Sequence, residues 1–227
     1  MSQPLTVSIG GATNKGIKTV NQDFIGSVIP PEPMLSSKGI VMAMADGISS
    51  SEVSQIASET AISGFLEDYY CTSESWSVKT SAQKVIRSIN SWLYAQTRNS
   101  PYRFDKDKGY VCTFSALVLK SNTAHLFHSG DTRIYRLSGQ QLEQLTEDHR
   151  RVVSADVSYL TRALGIEQTF DIDYQTKLLE QNDIYIIATD GVYEFLEGGQ
   201  IANIILNSTS LTIAAETIIQ QALSLGS

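Results

Sequence analysis

The feature that most constrains this chain is an apolar run at residues 40–45 that ends abruptly in Asp46-Gly47. A short run that is apolar on both faces and bounded by a breaker is typical of a buried β-strand. An Asp-Gly pair often forms a hairpin turn, but no second strand follows it here. Ser49 and Glu52 instead have the spacing of a helix capping box. The sequence therefore predicts a strand, an acid where the strand emerges, and a helix that begins close by.

The same pattern returns near the end of the chain. Residues 183–188 are apolar on both faces, and Asp190-Gly191 and a helix-like segment follow them. Together with two loop acids, Asp23 and Asp131, these strand ends predict a cluster of carboxylates. Close carboxylates repel one another unless a cation lies between them, and oxygen ligands favour Mg²⁺ or Mn²⁺ over Zn²⁺. Two such ions can share a water, lower its pKa and direct it at a phosphoryl group.

Composition limits the class of protein. The 227 residues can bury a sizeable core in one large domain or two small ones, and the net charge of -7 argues against binding nucleic acid or an anionic membrane through bulk charge. Cys71 and Cys112 make neither a disulfide framework nor a cysteine-phosphatase loop. No apolar run of about 18 residues and no signal-peptide core is found, so we expect a cytoplasmic protein without a membrane span.

Hydrophobic periodicity predicts an α+β fold, in the order strand, helix pair, antiparallel meander, strand and helices. The predicted strands lie at residues 5–10, 23–28, 40–46, 110–119, 123–128, 133–137, 141–145, 170–177 and 183–188. The predicted helices lie at residues 51–70, 78–98, 198–207 and 211–225, with a short helical turn at 158–165. Val53, Ile56, Ala57, Ala61 and Phe65 form the predicted buried face of the first helix.

Two other candidate sites are weaker. Residues 11–19 nearly match a phosphate-binding P-loop, but Ile17 separates Gly16 from Lys18, and a P-loop needs its lysine directly after the glycine. A nucleotide-binding protein remains an alternative on this segment. His125 and His128 are three apart on a predicted strand, so they point to opposite faces and cannot share a metal ion.

Several short motifs occur along the chain in an order that is typical of one protein family. They are Lys18-x-x-Asn21-Gln22-Asp23, Ala45-Asp46-Gly47, Ser129-Gly130-Asp131-Thr132-Arg133-x-Tyr135, Leu145-Thr146-x-Asp148-His149, Leu160-Thr161-Arg162-Ala163-Leu164-Gly165 and Ala188-Thr189-Asp190-Gly191-Val192. In this order, over roughly residues 5–225, the chain resembles the bacterial PP2C-type (PPM) metal-dependent protein serine/threonine phosphatases. It is also similar to the N-terminal phosphatase domain of bacterial proteins that carry a kinase domain after it.

The resemblance implies a fold and an activity. The fold is a sandwich of two antiparallel β-sheets flanked by pairs of antiparallel helices, with the final strand truncated, in a single domain over residues 1–227. The activity is hydrolysis of phosphoserine and phosphothreonine in proteins. A hydroxide bound between two Mn²⁺ or Mg²⁺ ions attacks directly, without a phosphoenzyme. A serine/threonine kinase domain is an implied partner.

The resemblance also implies roles for particular residues. Asp46 bridges the two ions and the Gly47 carbonyl binds one of them. Asp190 binds the other, and Asp131 with Asp190 could hold a third. Asp23 orders metal-bound water. Lys18, Asp23 and Asp46 are thus the implied catalytic residues, with Lys18 where the family usually has a phosphate-binding arginine.

The chain departs from the family pattern at several places. Lys18 lacks the bidentate fork of an arginine, Gln22 replaces an acid next to the metals, and Ile48 stands where some members have a catalytic histidine. The family's closing Asp-Asn pair, whose acid binds a metal, would begin where Leu225-Gly226-Ser227 stands, and residues 150–159 are short where the family usually has a flap. These departures leave open a non-catalytic PP2C-like module that binds a phosphoprotein or a kinase domain.

Overall fold

The computed structural model describes residues 5–154, 157–169 and 171–227. Its strands are β1 Asp23–Val28, β2 Ile40–Asp46, β3 Phe114–Lys120, β4 Thr123–Ser129, β5 Arg133–Ser138, β6 Gln141–Gln144, β7 Arg150–Ser154, β8 Val157–Leu160, β9 Asp173–Leu178 and β10 Ile184–Ala188. Its α-helices are α1 Met34–Lys38, α2 Ser54–Cys71, α3 Val78–Arg98, α4 Asp190–Tyr193, α5 Gly198–Asn207 and α6 Leu211–Ser224, and Lys106–Lys108 form one 3₁₀ turn.

The strands form a five-stranded sheet in the order β1-β2-β3-β4-β9, a three-stranded sheet in the order β10-β5-β6, and a β7–β8 ribbon. Every strand pair within the described ranges is antiparallel. Helices α2 and α3 pack on the larger sheet, and α5 and α6 pack on the smaller one. The predicted α+β fold of antiparallel sheets with segregated helices is therefore confirmed.

Strand β2 is apolar on both faces because each face meets a different layer. Val41, Ala43 and Ala45 point into the core under α2 and α3. Ile40 and Met42 point the other way, into a core shared with residues of β10 and β5. The two sheets therefore pack against each other through β2, which leaves this strand no freedom to slip in register.

The start of α2 differs from the prediction. The expected capping box of Ser49 and Glu52 is wrong, because the helix begins later and its N-cap, Val53, makes no side-chain cap. Ser51 has a different function: its hydroxyl accepts from Val53 N at 3.1 Å and donates to Gly109 O at 2.8 Å. The hydroxyl thus fastens the segment after β2 to a distant loop, a contact that local sequence spacing does not reveal.

The predicted four-stranded meander is split between two sheets. The β3–β4 hairpin belongs to the five-stranded sheet and the β5–β6 hairpin to the three-stranded sheet. The chain changes sheet at Gly130, which has a φ of +112°. A Cβ at this position would lie 2.6 Å from the Thr113 side chain, so both the backbone conformation and the packing require glycine. Hairpin signals predicted the two pairs correctly but not the sheet each pair joins.

Two further predictions of local structure are wrong. Residues 5–10 contain no regular strand, although Leu5, Val7 and Ile9 alternate and pack against the core between the sheets. Residues 158–160 belong to β8 and not to a helical turn. The strand expected at 170–177 is displaced to β9, and residue 170 lies outside the described residues.

The predicted buried face of α2 is largely correct, with Ile56 as the exception. In α2, Phe65 is buried but Ile56 is 47% exposed. In α3, Leu93 is buried and Trp92 is the exposed neighbour. In the part of the chain that the structure describes, no helix has both the length and the apolar character that crossing a membrane requires.

Helix α2 offers a matched test of this packing. We expect Ile62→Ala, at a fully buried position, to lower the free energy of unfolding by about 2–5 kcal/mol, because it leaves a cavity against the larger sheet. Ile56→Ala, at the exposed position of the same helix, should cost less than about 1 kcal/mol. Urea denaturation measures both values. Equal losses at the two positions would contradict the orientation of α2.

Candidate metal centre

Two of the predicted acids face each other across neighbouring strands. Asp46 ends β2, Asp23 begins β1, and the two are directly opposed in the antiparallel register. Side chains so paired lie on one face of the sheet with Cβ atoms about 5 Å apart. The two carboxyl groups are close enough for each to change the pKa of the other. The register therefore fixes a carboxyl pair where both strands open towards solvent.

The second Asp-Gly pair brings a third acid to this point from the other sheet. Asp190 begins α4 and is separated from β10 by Thr189 alone, and its charge acts on both Asp23 and Asp46. Thr189, the residue before it, donates from Oγ1 to Asp23 Oδ2 at 3.2 Å. Asp46 and Asp190 are 144 positions apart in the sequence, yet they meet at one site.

Burial and neighbouring negative charge raise the pKa values of Asp46 and Asp23. Burial is the largest cause of a pKa of Asp46 well above its ordinary value, and the charges of Asp23 and Asp190 raise it further. Burial also raises the pKa of Asp23, while Lys18 lowers the pKa of both acids. Buried like charges of this kind are relieved by a proton or by a cation.

Asp131 lies beside Asp190 at the corner between β4 and β5. Burial raises the pKa of Asp131 to about 6; the Asp190 charge adds to this effect and the Arg150 charge opposes it. Tyr193, in α4, donates its hydroxyl to the backbone oxygen of Asp131 at 3.0 Å. The corner and the start of α4 are therefore joined directly.

Lys18 and Gly47 lie at the mouth of the cluster. Lys18 Nζ donates to Ser49 Oγ at 3.1 Å, so the lysine is held beside the segment that follows β2. Gly47 N donates to Gln22 O at 3.0 Å, and a Cβ on Gly47 would lie 2.7 Å from Ser54 O. Only glycine lets the start of α2 approach the end of β2 so closely.

Gln22 does not have the position that the motif predicted. Its side-chain amide donates to Ser51 O at 2.9 Å and to Ser54 Oγ at 2.7 Å, and so binds the start of α2 instead of facing the acids. An acid here would lose the bond to Ser51 O, because a carboxylate cannot donate to a carbonyl oxygen. The glutamine is thus suited to joining β1 to α2.

Several residues that hold the site were missed from sequence. Thr113 accepts from Asp46 N and donates its own N–H to Asp46 O, both at 2.8 Å. His149 accepts from Gly130 N at 3.1 Å and donates its backbone N–H to Gly130 O at 2.8 Å. For His149, the sequence offered one indication of a role at the site, its place in a motif. For Thr113, a threonine in a predicted strand, the sequence offered no such indication.

The histidine prediction agrees with the structure. His125 contacts the Tyr174 hydroxyl at 2.9 Å, whereas His128 contacts Ser115 Oγ at 3.0 Å and Glu147 O at 3.0 Å. The two rings have different partners on opposite faces of β4, so neither faces the other across a common site.

The donor chemistry of the cluster fits a hard divalent cation. It consists of carboxylate and carbonyl oxygens with a surplus of negative charge, opposed by one nearby ammonium group. In the side-chain arrangement of residues 5–154, 157–169 and 171–227, no three acidic, histidine or cysteine groups converge to coordinating distance. The register holds the backbones of Asp23 and Asp46 opposite each other, with both side chains on one face of the sheet.

Comparison with known proteins agrees with this geometry. The sequence profile of the protein phosphatase 2C family matches residues 11–224. The protein phosphatase PhpP of Streptococcus pneumoniae is 24% identical over 230 residues, covering 92% of this chain and 88% of the relative. The serine/threonine phosphatase PstP/Ppp of Mycobacterium tuberculosis superposes with a TM-score of 0.75 at 21% identity, covering 92% of this chain and 88% of that one.

A further solved structure, the catalytic domain of PstP in complex with two manganese ions, has a TM-score of 0.71 at 20% identity and covers 97% of this chain and 90% of that one. Since the family profile spans nearly the whole sequence, the chain belongs to the protein phosphatase 2C family. The predicted membership of the PP2C-type protein phosphatases is confirmed.

The raised pKa of Asp46 predicts a pH dependence of stability in EDTA. Because the folded protein holds this proton to a higher pH than the unfolded chain, the free energy of unfolding falls as pH rises above 3.8. Asp46→Asn removes the titration and should be more stable than the wild type at pH 7.5, by about 1.4 kcal/mol for each unit of pKa shift. The two proteins should converge below pH 4.

Thermal melts from pH 3.5 to 8 measure this difference. Asp68→Asn, at an exposed position of α2, is the matched control and should melt like the wild type throughout. An Asp46→Asn variant that melts below the wild type in EDTA at pH 7.5 would show that Asp46 stabilises the fold as an anion, contrary to its raised pKa.

Proposed function

We propose that residues 1–227 act as a single domain that hydrolyses phosphoserine and phosphothreonine in proteins with the aid of two Mn²⁺ or Mg²⁺ ions. The observation that carries this proposal is the meeting of Asp23, Asp46 and Asp190 at the ends of three strands from two sheets. The two manganese ions described for the PstP catalytic domain support the choice of cofactor.

The residues that would hold the cations are Asp46, the Gly47 carbonyl and Asp190. Asp46 is suited to contact both ions because Asp23 and Asp190 each act on it electrostatically. When bound, the cations supply Lewis-acid activation of water and positive charge beside the phosphoryl group. They would also relieve the repulsion among the acids.

The chain's own side chains supply orientation. Lys18, at the mouth, offers an ammonium group to phosphoryl oxygens; unlike an arginine fork it acts as a point charge and fixes the phosphate less rigidly. Asp23 accepts from Thr189 Oγ1 at 3.2 Å, which leaves carboxylate lone pairs to orient the attacking water. Ile48 carries no proton for the leaving serine or threonine oxygen, so that proton comes from solvent.

A second candidate function rests on Gln22 and on the lack of three converged ligands among the described residues. Here the domain binds a phosphoprotein or a kinase domain without turning it over. Calorimetry separates the two candidates: a binding module takes up phosphopeptide with little affinity for Mn²⁺, whereas an enzyme binds two Mn²⁺ ions.

Partners and location follow from the proposed chemistry. Serine/threonine kinases make the phosphoproteins that this domain would hydrolyse. We therefore propose as its partner a kinase that acts on the same proteins and whose domain it binds directly.

The cysteines bear on the location of the protein. Cys71 is an exposed free thiol and Cys112 a buried one. An exposed free thiol suits a reducing compartment, which supports the cytoplasm.

The direct test is hydrolysis of a phosphoserine peptide with Mn²⁺. We expect Asp46→Ala and Asp190→Ala each to lower kcat/KM by about 10³-fold or more, because each removes a carboxylate that holds a cation. Asp68→Ala, an exposed acid on α2, is the control and should match the wild type. Turnover that survives both substitutions would contradict the proposed site, and wild-type binding without turnover would favour the second candidate.

A further inference from the structure

Arg150 lies beside the acidic cluster but plays no part in the proposed chemistry. It begins β7, directly after the Asp148-His149 pair. Its Nη1 lies 2.6 Å from Glu194 Oε1 and 3.8 Å from Asp131 Oδ2. One guanidinium group therefore lies between a carboxylate at the β4–β5 corner and one just beyond α4.

The surroundings hold this arrangement in place. Tyr193, next to Glu194, is joined to the backbone of Asp131 by its hydroxyl. The guanidinium of Arg133 lies 3.6 Å from the centre of the Tyr193 ring. Arg133 is in turn paired with Asp148, the nearest contact being 2.7 Å. Arg133 is thus already committed to other groups, and Arg150 is the guanidinium in ion-pair contact with Asp131.

Burial makes the contact effective. The side chains of Arg150 and Asp131 are 29% and 11% exposed, so water screens their attraction less than it screens a surface pair. Glu194 is 45% exposed and forms the shorter contact. Glu194 therefore acts as a tether that holds the guanidinium beside Asp131.

We propose that Arg150 is a built-in counter-cation for Asp131 and takes the position at which Asp131 and Asp190 would otherwise hold a third divalent ion. A guanidinium and a divalent cation repel each other and compete for the same carboxylate oxygens. The domain should therefore bind two ions and not three. This inference rests on the proposed function, because it takes Asp46 and Asp190 as the ligands of the first two ions.

The test counts bound Mn²⁺ by titrating the whole chain and measuring free Mn²⁺ by electron paramagnetic resonance. The wild type should bind two ions. Arg150→Gln should bind a third, or bind it at least about 10-fold more tightly. Arg150→Lys keeps a positive charge and should stay at two. Arg151→Gln, at the exposed neighbouring position, is the matched control and should also stay at two.

A second variant tests the proposal without changing Arg150. Asp131→Asn should still bind two Mn²⁺ ions with unchanged affinity, because Asp131 holds no ion in the wild type. A wild type that binds three ions, an Arg150→Gln variant that stays at two without tighter binding, or loss of an ion in Asp131→Asn would each overturn the inference. A wild type that binds no Mn²⁺ at all would instead overturn the proposed function, and the inference with it.

Discussion

The opposition of Asp23 and Asp46 across β1 and β2 is the interaction on which the site depends. A single-residue slip in this pair would turn one acid to the other face of the sheet, and β2 cannot slip because its two faces meet different cores. The fold thus holds two carboxyl groups together against their repulsion. Burial and the charge of Asp190 increase that repulsion, which gives the site its affinity for cations.

The packing of the two sheets supplies the remaining acids. Asp190 arrives on the end of β10 and Asp131 on the corner where the chain passes from one sheet to the other. That corner depends on Gly130, which His149 holds through its ring and its backbone. The motif residues around the acids therefore act largely by fixing backbone positions, and the acids do the proposed chemistry.

The sequence predicted the acids because their signal is local. An apolar strand that leads into Asp-Gly can be recognised within one short stretch of sequence, and β2 and β10 each have this pattern. The two long helices were predicted for a similar reason: nine buried positions of α3 follow its helical period. These signals do not depend on which distant elements come into contact.

The predictions that failed depend on distant contacts. Residues 5–10 alternate like a strand, but a strand also needs a hydrogen-bonded neighbour, and alternation does not supply one. The Ser49–Glu52 spacing suggested a cap, yet Ser51 is bonded to Gly109, on a loop far along the chain. The contact of Arg150 with Asp131 and Glu194 likewise joins three segments that no local pattern connects.

The most direct test of the proposed metal centre is anomalous diffraction at the manganese absorption edge, from crystals of this chain grown with Mn²⁺. We predict two anomalous peaks, both in contact with the Asp46 carboxylate and one also in contact with Asp190. Manganese bound only elsewhere, with neither ion in contact with Asp46, would contradict the central claim.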